Sequence, residues 1–215
     1  MERSTVKFHG KSYKVNRVLN DRPIAIVLDV SRGKKRRIIK IFPPVLHRGL
    51  YKQGFKNELL AYRTFREQRC TVVPLLWGST ATLTVKYPEG TANVPDSCKL
   101  EGNQRAIMLE YLDGEMLEPR NATVDATTKA LQYLNEIHSL GIYHGDVHNF
   151  GCRDGTPRNV MILNNGDVRW IDFEHSQKGA NDDEMDEEQK VVECSIGPTG
   201  YIWQTRKRLG LTTDE

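Results

Sequence analysis

Ile142-Tyr143-His144-Gly145-Asp146-Val147-His148, then Arg158-Asn159-Val160-Met161-Ile162-Leu163, then Trp170-Ile171-Asp172-Phe173-Glu174 is the stretch from which the rest of the chain is best read. It predicts a loop that places polar residues after a helix, followed by a hairpin with Asn159 at its entry and Asp172 at its exit. Asn164-Asn165-Gly166-Asp167 joins the two short strands, and an Asn-Gly pair there is a strong hairpin signal. Asp146, Asn159 and Asp172 then converge as oxygen donors. Hard oxygen ligands of this kind suit Mg²⁺, which takes one or two carboxylates and completes its shell with water and phosphate oxygens. Asp146 is left to orient or deprotonate a hydroxyl, a role worth about 10²- to 10⁴-fold in rate.

Upstream of that stretch, Val124 to Leu140 carries apolar residues at helical spacing, and Gly141 supplies the stop. Downstream, Glu184 to Ile196 is predicted as a helix with Met185, Val191, Val192 and Ile196 inward, ended by Gly197-Pro198. The first third reads differently. Tyr13 to Leu19, Ile24 to Val30 and Arg37 to Phe42 are rich in β-branched residues and separated by turn formers, which predicts an antiparallel meander. Pro43-Pro44 ends it, Phe55 to Gln68 is an amphipathic helix, and strands follow at Val73 to Ser79, Leu83 to Tyr87 and Ala106 to Tyr111. Pro88 to Gln104 reads as a loop. The expectation is a β-rich first lobe over 1–112 and a helical second lobe over 113–215, with a ligand cleft between them.

Composition is that of an ordinary globular chain, with 27% charged and 38% hydrophobic residues among 215. The longest apolar run, Ile24 to Leu28, falls far short of the ~20 residues a membrane helix needs, so no membrane partner is expected. The first residues lack the apolar segment of a secretory signal, which points to the cytoplasm, with the nucleus as the alternative. Cys70, Cys98, Cys152 and Cys194 are scattered and form no Cys-x-x-Cys pair, which speaks against structural zinc and a disulfide framework. Charge is uneven: residues 1–69 hold 18 Lys and Arg against 5 Asp and Glu, whereas the remainder holds 13 against 23. The run Lys34-Lys35-Arg36-Arg37 raises nucleic acid as a partner, but it has too few aromatic neighbours in the chain for a stacking platform and reads as a solvated hairpin connection. Asp182 to Glu188, with six acids in seven positions, reads as a solvated loop or the acid-rich first turn of a helix.

The ordered motifs resemble the protein-kinase-like superfamily. His144-Gly145-Asp146 is similar to the catalytic-loop His-Arg-Asp, Asn159 to its metal-binding Asn, and Asp172-Phe173-Glu174 to Asp-Phe-Gly. Ile38-Ile39-Lys40 resembles Val-Ala-Ile-Lys, Glu58 is placed like the Glu that pairs with that Lys, and Leu109 to Gly114 resembles the hinge. The resemblance covers about residues 13 to 176 and is closest in form to small fungal kinase-like proteins. It implies an α+β bilobal fold, with an antiparallel sheet plus one helix in the N-lobe and a shortened, mainly helical C-lobe. By the same resemblance Lys40 would hold the ATP phosphates, Glu58 would position Lys40, and Asp172 and Asn159 would bind Mg²⁺. Asp146 would accept the substrate proton, and adenine would meet the Glu110 carbonyl and the Leu112 amide.

Four departures shape the functional expectation. Twelve residues lie between Asp146 and Asn159, where the motif has four, so Asn149 to Arg158 is read as an inserted excursion. Asn20-Asp21-Arg22-Pro23 stands where a Gly-x-Gly-x-x-Gly loop is expected. Gly145 and Glu174 replace the Arg and Gly of the motifs, which implies no activation by loop phosphorylation. Ala-Pro-Glu and most of the peptide-docking helices are missing. The leading expectation is an ATP- and Mg²⁺-dependent phosphotransferase acting on Ser/Thr hydroxyls of a protein. The alternatives are a pseudokinase scaffold and a small-molecule kinase, since His144-Gly145-Asp146-Val147-His148 equally resembles the His-Gly-Asp-x-His of aminoglycoside and choline kinases.

Overall fold

A computed structural model describes residues 4–22, 25–42, 50–86, 104–147 and 157–211. Among the described residues the chain forms eleven strands and four helices, divided into two compact units. The first comprises Met1–Leu59 and Leu75–Tyr111, and the second Leu60–Pro74 and Leu112–Glu215.

The first unit contains β1 (Thr5–Phe8), β2 (Lys11–Arg22), β3 (Ala25–Arg32), β4 (Lys35–Phe42), β5 (Leu76–Lys86) and β6 (Gln104–Glu110). It also holds the first ten residues of α1 (Leu50–Glu67). Alternate residues point to opposite faces of a strand, and here one set makes a core: Val6 and Phe8, Ile26, Leu28 and Val30, Ile39 and Ile41, Leu83, Ala106 and Met108. That core sits inside a closed barrel of order β1-β2-β3-β4-β6-β5, in which β1 pairs antiparallel with both β2 and β5. Register shifts in β2, at Val15/Arg17 and Val18/Asn20, and in β5, at Leu76/Gly78 and Thr80/Leu83, supply the bends.

This corrects the expected fold class. A protein-kinase-like bilobal fold, with an open antiparallel sheet and a mainly helical C-lobe, is overturned by a six-stranded barrel closed on itself and by sheet that runs through both units. The reason is β1. Thr5 to Phe8 is a four-residue strand, too short to register in the sequence pattern, yet its two pairings remove both edges of the sheet. The strands expected at Val73 to Ser79 and Leu83 to Tyr87 are likewise a single bent strand, β5.

In the second unit α2 (Val124–Ser139) begins at Thr123, whose Oγ accepts from the Ala126 amide at 3.1 Å, and buries Ala126, Ala130, Leu134 and Ile137. Trp170 Nε1 donates to the Ala130 carbonyl at 2.9 Å and ties this helix to a three-stranded sheet. That sheet has β9 (Val160–Leu163) between β10 (Val168–Trp170) and β7 (Gly114–Met116). β8 (Ile142–Tyr143) pairs with β11 (Gln177–Lys178). α3 (Asp182–Ile196) starts with a capping box between Asn181 and Glu184, so the acidic run forms its first turns, and α4 (Tyr201–Arg208) follows. Tyr62, Phe65 and Phe173 meet edge to face, with ring centroids 4.9 to 6.0 Å apart. No helix among the described residues is long and apolar enough to cross a membrane.

Candidate functional site

In β4 the inward residues Ile39 and Ile41 leave Lys40 on the outer face, and the first part of α1 brings Glu58 to it. Lys40 Nζ lies 2.7 Å from Glu58 Oε2, with both side chains at most 6% exposed. A buried ion pair rarely stabilises a fold beyond what apolar residues of the same volume achieve. Its presence is therefore a pointer to use rather than to stability. Glu110 ends β6: its amide donates to the Leu75 carbonyl at 2.9 Å and its Oε2 accepts from the Leu75 amide at 3.1 Å. Its side chain is thus engaged in pinning the start of β5.

The second unit gathers the remaining expected residues around one loop. His144 is completely buried, and its Nε2 donates to the Ile171 carbonyl at 3.0 Å while Nδ1 accepts from the Asp146 amide at 3.3 Å. Burial pulls its pKa down against the pull of Glu188, so the ring is neutral, a structural clamp on the loop. Gly145 has φ +79, and a Cβ there would stand 2.3 Å from the His175 carbonyl oxygen. That is why glycine occupies the place of the motif's arginine. Asn159 Nδ2 donates to the Asp146 backbone oxygen at 2.9 Å and to its carboxylate Oδ2 at 3.1 Å. With that nitrogen turned to Asp146, the amide oxygen of Asn159 is the atom suited to a cation.

The register Val160↔Trp170 sets Asn159 opposite Ile171, whose amide donates to the Asn159 carbonyl at 2.9 Å, so Asp172 comes next to it at the mouth of the hairpin. Asn159 and Asp172 share a rare backbone state. Their φ values are +65 and +66, in a chain where His9 and Arg69 are the other described non-glycine residues in that region. Backbone strain of this kind clusters at ligand-holding sites. The donor set fits a hard divalent cation such as Mg²⁺: carboxylate and amide oxygens, and no sulfur or imidazole nitrogen. Leu112 is half-buried at the start of the second unit. His148 and Asn149 lie outside the described residues, as do the loop at 88–103 and residues 150–156 of the excursion.

Two residues escaped the sequence reading. Arg158 closes the excursion, its amide donating to the Val147 carbonyl at 3.0 Å and its guanidinium lying 3.3 Å from Asp146 Oδ1. Glu188 is 3% exposed on the face of α3 that also buries Met185, Val192 and Ile196. Its Oε1 accepts from the Gly145 amide at 2.8 Å, and its Oε2 accepts from the His144 amide at 3.0 Å and from His138 Nε2 at 2.8 Å. Burial would raise its pKa, but these donors, His138 foremost, hold it below the usual carboxylate range. An acid on the apolar stripe of a helix was the available signal. No protein-family model matches the chain, and no curated protein matches it in sequence.

Proposed function

We propose that the chain is an ATP- and Mg²⁺-dependent phosphotransferase that moves the γ-phosphoryl group to a hydroxyl, with a protein Ser or Thr as acceptor. The observation that carries this reading is the held loop of the second unit. Asp146 is hydrogen-bonded by Asn159, and Asn159 and Asp172 sit side by side in left-handed conformations with oxygen donors. The buried Lys40–Glu58 pair of the first unit supports it independently, since these are the residues that the motif resemblance assigns to phosphate binding. The reading rests on these motifs and their local geometry, not on a kinase fold.

In this scheme Lys40, oriented by Glu58, would neutralise phosphate charge, and Asn159 and Asp172 would hold Mg²⁺, which would supply further positive charge for the phosphoryl oxygens. The acceptor oxygen forms a bond to the γ-phosphorus as the bond to the β-phosphate oxygen breaks, ADP leaves, and the hydroxyl proton passes to Asp146. Arg158, 3.3 Å from Asp146 Oδ1, fixes the orientation of the carboxylate that takes that proton. The experiment is transfer from γ-labelled ATP with Mg²⁺ to a protein mixture and, in parallel, to a metabolite panel. Label on protein, reduced by about 10²-fold or more in Asp146→Asn and Asp172→Asn, supports the reading. Label on a metabolite alone moves the acceptor to a small molecule. No transfer, together with no ATP-induced thermal shift, moves the chain to a scaffold.

A further inference from the structure

The outer face of the barrel carries a charged surface that phosphotransfer leaves unused. Residues 4–20 and 30–39 hold nine Lys and Arg and no Asp or Glu. The registers Thr5↔Lys14, Lys14↔Ser31 and Ser31↔Arg36 set hydroxyl, cation, hydroxyl and cation in one cross-strand row. Their neighbours Val6 and Val30 point into the core, so the row faces outward. At about 4.8 Å between strands, Lys14 and Arg36 stand about 10 Å apart.

Asp29 lies in the next row, fully buried, and accepts hydrogen bonds from Asn16 Nδ2 at 3.0 Å, Arg17 Nε at 3.3 Å and Arg36 Nη2 at 2.5 Å. Burial would raise its pKa, but the Arg36, Asn16 and Arg17 donors overcome this and keep it ionised. One carboxylate beneath the surface thus fixes two guanidinium groups whose side chains remain 59% and 41% exposed. It neutralises one charge of the two, and exposed Lys14, Lys34 and Lys35 add more. Arg17, Asp29, Lys34 and Arg36 border an open depression of about 490 Å³.

The row runs into an aromatic ring. The Arg36 guanidinium lies 3.6 Å from the centroid of Tyr111, whereas the next residue, Arg37, has the opposite parity on β4 and lies 4.0 Å from the centroid of Trp77, which is 51% exposed. The chain shows few aromatics beside residues 34–37, but β5 and the end of β6 deliver two. We propose that this face binds single-stranded nucleic acid. Phosphates pair with Lys14, Arg17 and Arg36 and accept from the Thr5 hydroxyl, and an unpaired base stacks on the Arg36–Tyr111 pair. Cations repeated along a row favour a polymer of phosphates over a lone anion. The ring at its end favours unpaired bases, because a duplex keeps its base faces covered.

The test is fluorescence anisotropy of the full chain with a labelled twelve-nucleotide poly-dT or poly-U strand, between 50 and 200 mM salt. Binding should weaken with salt at about −0.7 in log-log slope for each phosphate engaged. Lys14→Glu should weaken it at least about tenfold and flatten that slope. Tyr111→Ala should weaken it about fivefold or more with the slope unchanged, since stacking is not a charge effect. A circular-dichroism melt confirms that each variant is folded. Equal binding to a duplex of the same length, or to phosphatidylserine vesicles, would overturn the proposal by reducing it to general polyanion attraction. So would binding unchanged in either variant, or none at micromolar protein in 50 mM salt.

Discussion

The Gly145 amide donates to Glu188 Oε1 at 2.8 Å, so that a carboxylate from the second turn of α3 holds the backbone one residue ahead of Asp146. The same carboxylate accepts from the His144 amide and from His138 Nε2, and no other described side chain takes three donors from this loop and helix α2. Glu188→Gln keeps the shape but exchanges a charged acceptor for an amide whose NH₂ group opposes a backbone N–H. It should lower stability by about 1 to 3 kcal/mol, read from urea unfolding. Phosphoryl transfer should fall with it, because the loop carrying Asp146 loses its anchor. A variant as stable as the parent would show that Glu188 anchors nothing.

Stability should decline on acidification in two stages. Buried neutral His144 has its pKa lowered by burial. The unfolded chain therefore takes up that proton first, and stability falls from about pH 6.5 down to the lowered folded value. Glu188, lowered in the folded state, contributes stability that is complete above the ordinary carboxylate pKa of about 4.3 and is lost as pH drops below it. Unfolding midpoints measured from pH 8 to pH 3 should follow this course, and His144→Gln, if it folds, should remove the first stage while leaving the second.

Lys40→Met leaves Glu58 buried without its cation and should destabilise the first unit by about 3 to 5 kcal/mol. Lys40→Met combined with Glu58→Leu should recover most of that loss, since an apolar pair of similar volume replaces the ion pair. Chemical denaturation of the two variants decides it. Equal instability in both would mean that the pair holds the fold and is not retained for binding phosphate.

Gly145→Ala places a methyl group against the His175 carbonyl in a backbone conformation that alanine resists. A loss of about 1 to 3 kcal/mol from backbone strain alone is expected, with the clash in addition. Gly179→Ala is the matched comparison, with the same φ of +79 and open space around the Cβ, and should show the smaller loss in a thermal melt.

Local structure was legible wherever a residue type dictates its own conformation. Asn164-Asn165-Gly166-Asp167 forms the expected turn, with Gly166 at φ +80. Gly141 at φ +72 ends the helix that Val124 begins, and the apolar positions Phe55, Leu59, Tyr62 and Phe65 all fall within α1. Within the candidate site, the pairing of Lys40 with Glu58 and the meeting of Asp146 with Asn159 follow from residues the motifs singled out. Glu188 was hidden because six acids in seven positions read as a solvated surface, whereas one of them sits at a helical position that points inward.

The sequence by itself determined the strands of the meander, the helix stops, the hairpin turn and the residue types offered for catalysis, because these depend on alternation, backbone freedom and side-chain chemistry within a few residues. Only the tertiary structure decided that four residues at Thr5 to Phe8 close the sheet into a barrel, since strand pairing across about eighty residues leaves no trace in local pattern. It also decided that Asp29 lies beneath two arginines, and that Tyr111 and Trp77 stand beside a basic run remote from them in the chain. Each of these contacts is fixed by how the strands register.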